Sequence, residues 1–279
     1  MRIERVRIRR LAVGESAEVW GSALTNPAWL EGAEVLKREG AAWVRRGRLL
    51  GRDVVVKCRP LGTLGRRVKA ALGLGHADRQ WRGAALLGRA GVRTGAPLCA
   101  AWGLVDGVAC ELLGLEHVPG TTVLEVLDAA ARGVGPGVRE QHALAAAVAG
   151  TVVQMLGGGV CNKDHKPSNL IAVYGEWGEV AVIDCVGVRR ARGAGVDGRE
   201  AAEMLAALLI EPAGCGCPVR RALWMRGLRS LVPEPVRTGP REVRREWLLG
   251  RVKDVSAIVA AHGDPTPKVN PLGERRPDG

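Results

Sequence analysis

The alternation of apolar and polar positions changes period several times along the chain. Val6 and Ile8 alternate with arginines, and Val54-Val55-Val56 is a compact β-branched run, so residues 1 to about 57 are strand-like in parts. Ala33-Glu34-Val35-Leu36-Lys37, Ala41-Ala42-Trp43-Val44 and Arg52 to Lys57 read as a small antiparallel sheet, with turns at Arg38-Glu39-Gly40 and Leu49-Leu50-Gly51. From Ala77 to Arg89 the period is helical, through Trp81, Ala84, Ala85 and Leu87, and it stops at Ala90-Gly91-Val92. Val108 to Leu115 is again strand-like. Glu140 to Leu156 then predicts a helix with Leu144, Val148, Val152 and Met155 on one side. The uncharged run from Gln141 to Asn162 nearly has the length of a membrane span. It is rich in Ala and Gly, includes Gln154 and ends in Gly157-Gly158-Gly159, which favours a buried helix. A short strand at Val180 to Ile183, a helix from about Arg199 to Ile210 and further helix through Trp224, Trp247 and Val259 complete the pattern. Gly263 to Gly279, rich in Pro, Gly and charge, is expected to be a disordered tail.

Two polar clusters interrupt the apolar runs between Gly159 and Arg189. One is Asn162-Lys163-Asp164-His165-Lys166-Pro167-Ser168-Asn169, and the other is Asp184-Cys185-Val186-Gly187 after Val180-Ala181-Val182-Ile183. Their acids are expected where short strands end in loops. Phosphoryl transfer needs a group that orients the attacking hydroxyl and oxygen ligands for the magnesium that neutralises the phosphates. Asp164, Asn169 and Asp184 supply that set. The alternative is that these are turn residues and a strand-end cap, but the coincidence of spacing argues against it.

Composition adds limits rather than a function. At 279 residues the chain has ample length for one large domain or two smaller lobes, and 47% apolar with 25% charged residues is ordinary for a globular protein. Lys and Arg exceed acids by 12, so the surface is expected to attract anions: nucleotides, nucleic acid or acidic lipid head groups. With no RNA-recognition signature or aromatic residues in a basic run, specific nucleic-acid binding is not expected. The seven cysteines are scattered through apolar surroundings, which suits buried thiols in a reducing compartment, and Cys215-Gly216-Cys217 lacks the second ligand pair of a zinc site. The N-terminus has basic residues but no apolar core behind them, so no signal peptide is visible and a cytoplasmic location is expected. Residues 60 to 75 set Arg66, Arg67 and Lys69 among Leu61, Leu64, Val68, Leu72 and Leu74; a helix lying on an anionic membrane and a solvated loop both fit.

The order Asp164, Lys166, Asn169 resembles the catalytic loop of protein kinases and their relatives, although Asn162-Lys163 stands where those have His-Arg. Asp184 falls at the place of the magnesium-binding Asp of Asp-Phe-Gly, with Cys185 and Val186 in place of Phe and the Gly one residue late. Lys57 closes Val-Val-Val as the lysine closes Val-Ala-Ile-Lys in kinases; a lysine ending an exposed strand is the alternative. Gln80 takes the place of the kinase Glu that holds this lysine. It can hydrogen-bond an ammonium but cannot form its ion pair. Gly40 alone marks the phosphate-covering turn, for which an ordinary hairpin turn is an equal reading. Glu116-His117-Val118-Pro119-Gly120 resembles the kinase hinge, where adenine would bond backbone groups around Glu116 to Val118; a strand followed by a Pro-Gly turn is the alternative.

Taken together, residues 33 to 210 look like the protein-kinase-like fold, and the trimmed form, with Ala-Gly-Val-Arg-Thr after the first helix and little after the second Asp, is similar to the bacterial lipopolysaccharide kinase family. That resemblance implies an α+β, two-lobed architecture, with a small antiparallel-sheet lobe carrying one helix over 1–115, a mainly helical lobe over 116–262 and the tail over 263–279. It implies ATP and Mg2+ as cofactors, and transfer to a sugar hydroxyl of the Kdo or heptose core attached to lipid A. Lys57 and Lys166 would steady the phosphates, Asn169 and Asp184 would hold magnesium, and Asp164 would orient the acceptor hydroxyl and take its proton. An acidic glycolipid partner would place the protein peripherally at the inner membrane. Two other readings stay open: a serine/threonine protein kinase, favoured by Lys166-Pro167-Ser168-Asn169 but lacking an Ala-Pro-Glu peptide-docking segment, and a nucleotide-binding pseudokinase scaffold, favoured by Gln80.

Overall fold

The computed structural model describes residues 1–193 and 195–273 and divides into two compact units. The first comprises Met1–Ala85 with Gly95–His117, and the second comprises Leu86–Thr94 with the chain from Val118 onward.

The first unit is a six-stranded antiparallel sheet. Its strands are β1 (Ile3–Leu11), β2 (Glu34–Glu39), β3 (Ala42–Leu49), β4 (Arg52–Pro60), β5 (Pro97–Val105) and β6 (Val108–Glu116), in the spatial order β1-β5-β6-β4-β3-β2. Three of its connections are two-residue hairpins. Leu50-Gly51 and Asp106-Gly107 have positive φ at both positions, as type I′ turns require, whereas in Gly40-Ala41 only Gly40 is positive. The turn between β2 and β3 therefore falls one residue later than Arg38-Glu39-Gly40, because Glu39 still pairs with Ala42.

Each face of the sheet has its own cover. On one, Val54, Val56, Cys58 and Leu112 pack with Trp20 and Leu24 of α1 (Ala17–Thr25) and Trp29 and Leu30 of α2 (Pro27–Glu31). Gly114 faces this side; a Cβ there would stand 2.9 Å from Cys99 Sγ and 3.5 Å from the Trp20 ring, so the missing side chain lets the indole lie on the strand. On the other face, Ala100, Leu113 and Leu115 pack with Ala77 and Trp81 of α4 (His76–Arg89). The two short helices and β5 are not evident in the sequence. Helices of nine and five residues present too few turns to show a period, and β5 reads Leu-Cys-Ala-Ala-Trp-Gly-Leu-Val, apolar without alternation because both of its faces are covered.

Glu111 on β6 anchors α4. It is buried, and its Oε2 accepts a hydrogen bond from the His76 backbone N–H at 3.1 Å, so a carboxylate closes the helix N-terminus. Burial pushes its pKa up, while the backbone N–H groups of His76 and Ala77 pull the other way. Gly75 makes the approach possible, since any Cβ there would overlap Glu111 Oε1.

The second unit is mostly helical: α5 (Val123–Ala131), α6 (Val138–Gly157), α7 (Arg199–Gly214), α8 (Arg221–Ser230), α9 (Glu234–Thr238) and α10 (Arg241–His262). Thr122 and Glu125 form a capping box at the start of α5. In α6 the residues Leu144, Val148, Val152 and Met155 are buried, and no helix among the described residues is long and apolar enough to cross a membrane. Two small sheets complete the unit: β7 (Gly120–Thr122), β9 (Leu170–Val173) and β10 (Val180–Val182) in one, β8 (Val160–Asn162) and β11 (Val188–Arg190) in the other. Of the expected tail, residues 274–279 lie outside the described residues. Before them, residues 263–273 carry no helix or strand, and Leu272 packs against Leu124, Cys215 and Cys217.

Replacing Gly75 by Ala displaces the Glu111 carboxylate from the start of α4. The expected result is a loss of about 1–3 kcal/mol, the cost of leaving a buried hydrogen-bonding group unsatisfied, seen as a lower urea midpoint at unchanged m-value.

Candidate active site

Four of the expected site residues come together in the second unit through two loops that are stitched to each other at both ends. At the outer end, β8 pairs antiparallel with β11, with Asn162 opposite Val188. At the inner end, β9 pairs with β10, and the Ile183 N–H donates to the Asn169 carbonyl at 3.0 Å. The loop from Lys163 to Asn169 and the loop from Asp184 to Gly187 are thereby held side by side, and Asp184 follows directly on the residue bonded to Asn169. Gly187, one residue later than the kinase signature would have it, has a steric reason. A Cβ there would stand 2.6 Å from Asn162 Oδ1 and 3.1 Å from the Asp164 nitrogen. Its carbonyl accepts from the Lys163 N–H at 3.2 Å.

Within the loop most of the polar side chains have a fixed direction. Buried Asn162 accepts the Asp164 N–H on Oδ1 at 3.0 Å. Asn169 Nδ2 donates to Asp164 Oδ2 at 2.9 Å and to the Asp164 carbonyl at 3.0 Å. Both amide hydrogens are thus committed to Asp164, which leaves the Asn169 carbonyl oxygen as the acceptor of that side chain. Lys166 Nζ lies 3.5 Å from Asp164 Oδ1 and 3.7 Å from Glu211 Oε1. The Asp164 side chain is half exposed, so a substrate can reach it. Among the described residues no three His, Cys, Asp or Glu side chains form a metal-binding group. An amide oxygen and the Asp184 carboxylate on adjacent, stitched loops are instead a hard oxygen pair, the donor type that suits magnesium.

Two glutamates that the sequence reading did not name, and His165, to which it gave no role, hold this geometry. Glu211, near the end of α7, accepts from the Ser168 N–H at 2.7 Å and from Ser168 Oγ at 2.6 Å, so one buried carboxylate fixes the middle of the catalytic-type loop. His165 points the other way, into the core beneath the loop. Its Nε2 is 3.1 Å from Thr151 Oγ1, whose own proton goes to the Val148 carbonyl at 2.7 Å, so Nε2 carries the hydrogen and Nδ1 is bare. Burial holds the His165 pKa at about 3, so the ring stays neutral and serves packing rather than proton transfer. Glu200, at the start of α7, accepts from the Arg192 and Gly193 N–H groups at 2.8 and 3.3 Å and pairs with Arg189 at 2.6 Å. It ties down the segment that follows Asp184. Burial would raise its pKa, but these donors outweigh burial and hold it at about 2. Neither glutamate belongs to a recognisable motif: α7 brings Glu211 to Ser168 across 43 residues, and its first turn sets Glu200 against backbone groups 7 and 8 residues before it.

The remaining expected residues belong to the first unit, apart from Val118. Lys57 lies on β4 opposite Leu113, hence on the face that carries α4, and Gln80 is buried on that helix. Gly40 occupies a tight two-residue hairpin at the end of β2, a strand exposed throughout, and a Cβ there would meet nothing within 4 Å. The Glu116 and His117 N–H groups donate to the Ala96 and Asp53 carbonyls at 2.8 and 3.1 Å. Val118 packs against Ile171, Val173 and Ala181 of the second unit.

A six-stranded antiparallel sheet at the N-terminal end followed by a mostly helical part defines the kinase-like α+β fold. Among solved structures, a chain described as WaaP in complex with acyl carrier protein is similar over 91% of this chain and 99% of its own, with 22% sequence identity and a TM-score of 0.58. At that identity the likeness establishes the fold. No protein-family model matches the chain. No curated protein matches it either.

Glu200 generates a pH dependence. Its folded pKa of about 2 lies below the ordinary 4.5, so its contribution to stability is complete above about pH 4.5 and is lost as pH falls toward 2. Urea midpoints followed from about pH 6 to about pH 3 are expected to fall less steeply for Glu200→Gln than for the wild type. Equal slopes would remove Glu200 from the clamp.

Proposed function

We propose that the protein is an ATP-dependent phosphotransferase whose acceptor is a sugar hydroxyl of an acidic, lipopolysaccharide-core-type glycolipid. The observation that carries this reading is the Asp164–Asn169–Lys166 cluster, held in one loop and stitched beside Asp184. Asp164 is exposed enough to meet a hydroxyl, and the Asn169 amide and the Lys166 ammonium fix its carboxylate. It orients the acceptor in line and takes its proton late in the transfer. Lys166 offers an ammonium group to the phosphates, the role that the family resemblance also gives to Lys57. Magnesium held by the Asn169 amide oxygen and Asp184 would neutralise the charge on those phosphates. With the N–H groups of Glu116 and His117 already bonded within the sheet unit, adenine is left the Glu116 carbonyl and the Val118 N–H.

The glycolipid class rests on the family resemblance in the sequence, supported by the fold shared with WaaP. The helix α3 (Leu64–Ala71), with the residues just after it, adds to it. Leu64, Val68, Leu72 and Leu74 are exposed alongside Arg66, Arg67 and Lys69, a composition suited to an anionic membrane surface from which a lipid-borne acceptor is taken. A protein substrate is less well served. Only β11 and one 3-10 turn are described between Asp184 and α7, which leaves little chain to dock a peptide. Buried Gln80 favours one second reading, a nucleotide-binding scaffold, since it denies Lys57 the carboxylate on α4 that kinases use.

The test is transfer of labelled phosphate from ATP to core glycolipid, to cell protein and to buffer alone. Asp164→Asn is expected to lower turnover by roughly 10²–10⁴-fold, the range for loss of a general base, with ATP affinity within about twofold of wild type. ATP binding without transfer to any acceptor would overturn the enzyme reading in favour of the scaffold.

A further inference from the structure

The second unit carries a basic groove that the phosphotransfer reading does not use. It lies between α8, α9 and α10, has a volume of about 590 Å³, and is lined by Arg221, Arg229, Arg237, Arg241, Arg244 and Arg245. On α10, Arg241, Arg244 and Arg245 share a face with Leu248, Leu249 and Val252, at the spacing of successive helical turns. The acids of the same turns, Glu242 and Glu246, are not among the lining residues. Arg237 is paired with Glu234; among the described residues none of the other five arginines is in an ion pair. Five like charges around one concavity repel each other, and among the described residues no carboxylate pairs with them. The first turn of α10 adds to the field. Its cap residue is Pro240, whose side chain gives no hydrogen bond to the N-terminal N–H groups of this 22-residue helix, although Glu242 stands in the same turn. The rest of the lining, by contrast, is apolar, with Met225, Leu248, Leu249 and Val252 in it, and Leu249 is 57% exposed.

We propose that this groove is a docking site for the phosphate-bearing head group of an anionic membrane lipid. The guanidiniums take the phosphate, and the apolar lining takes the first methylenes next to it. Charge alone would admit any anion; the apolar lining decides among them. A free polyanion gains nothing from covering Leu249, whereas an amphiphile buries it. Size also decides. Small-molecule sites run from about 300 to 1,000 Å³, so the groove suits a head group rather than a whole protein helix. The site is independent of the chemistry assigned to Asp164. Its consequence is a second basic membrane contact, distinct from α3 and carried by the helical unit.

The test is vesicle co-sedimentation of the full chain, with phosphatidylglycerol-containing vesicles compared with phosphatidylcholine vesicles and with inorganic tripolyphosphate as a soluble competitor. Arg229→Gln/Arg244→Gln is expected to lower association with the anionic vesicles roughly thirtyfold, as two surface arginines would, and Leu249→Gln is expected to lower it severalfold while leaving tripolyphosphate binding unchanged. Asp164→Asn should bind vesicles as wild type does, which separates failure here from failure of the enzyme reading. Because these side chains are exposed, unchanged thermal midpoints are expected and control for folding. Wild-type vesicle binding by the double arginine variant would overturn the proposal. So would equal binding to phosphatidylcholine. Loss of tripolyphosphate binding with no effect of Leu249→Gln on vesicles would reduce the groove to a site for polar anions, and binding to an acidic protein without binding to vesicles would make it a protein interface; either result overturns it as well.

Discussion

A side chain at position 187 would collide with the Asn162 amide, and much of the catalytic-type geometry depends on its absence. The contact lets the Asp184 loop lie against the loop that carries Asp164. Backbone hydrogen bonds from Lys163 to Gly187 and from Ile183 to Asn169 then lock the two together on either side of the polar residues. Functional groups tolerate little positional error. Here the tolerance is set by strand pairing beyond both ends of the loops rather than by the loops themselves, with the acids placed where the ladders run out.

A second theme is the use of buried or nearly buried carboxylates to capture backbone N–H groups. Glu211 takes the Ser168 N–H, Glu200 takes those of Arg192 and Gly193, and Glu111 takes that of His76. In each case an acid on one element fixes a loop or helix start on another, and the low dielectric around it makes the bond stronger than it would be in water. The outcomes differ with the donors available. Glu200, with two backbone donors and Arg189, stays a strong acid, whereas Glu111, with desolvation dominant, is pushed toward protonation. His165 shows the same rule for a base: burial without a charged partner keeps it neutral, and its place between Asp164 and Lys166 in sequence gives it no part in the polar surface those two share.

Basic charge is not spread evenly over the chain. The excess of 12 positive charges includes local concentrations beside exposed apolar residues, on α3 in one unit and between α8 and α10 in the other. Arginine beside leucine is a pairing that water alone does not reward, since the leucine stays wet and the charges repel. A surface that offers both anion and hydrocarbon satisfies the two at once.

Much of the local structure was legible in the residues. The β-branched run before Lys57, the helical period of α4 and α6, and the spacing of Asp164, Lys166, Asn169 and Asp184 depend on near neighbours, and patterns with periods of two or 3.6 residues report near neighbours well. The turn at Gly40 was displaced by one residue because strand pairing, rather than the identity of the glycine, sets where a hairpin closes. What the chain could not announce are the partners brought in from a distance: Glu211 to Ser168 across 43 residues, Glu111 to His76 across 35, and the fully covered β5. The arginines of α8 and α10 read as ordinary solvated charge until the helices face each other. A carboxylate or a guanidinium has the same letter whether it meets water, a backbone N–H or another charge. Only packing decides which, because desolvation and distance, not composition, set what such a group is worth.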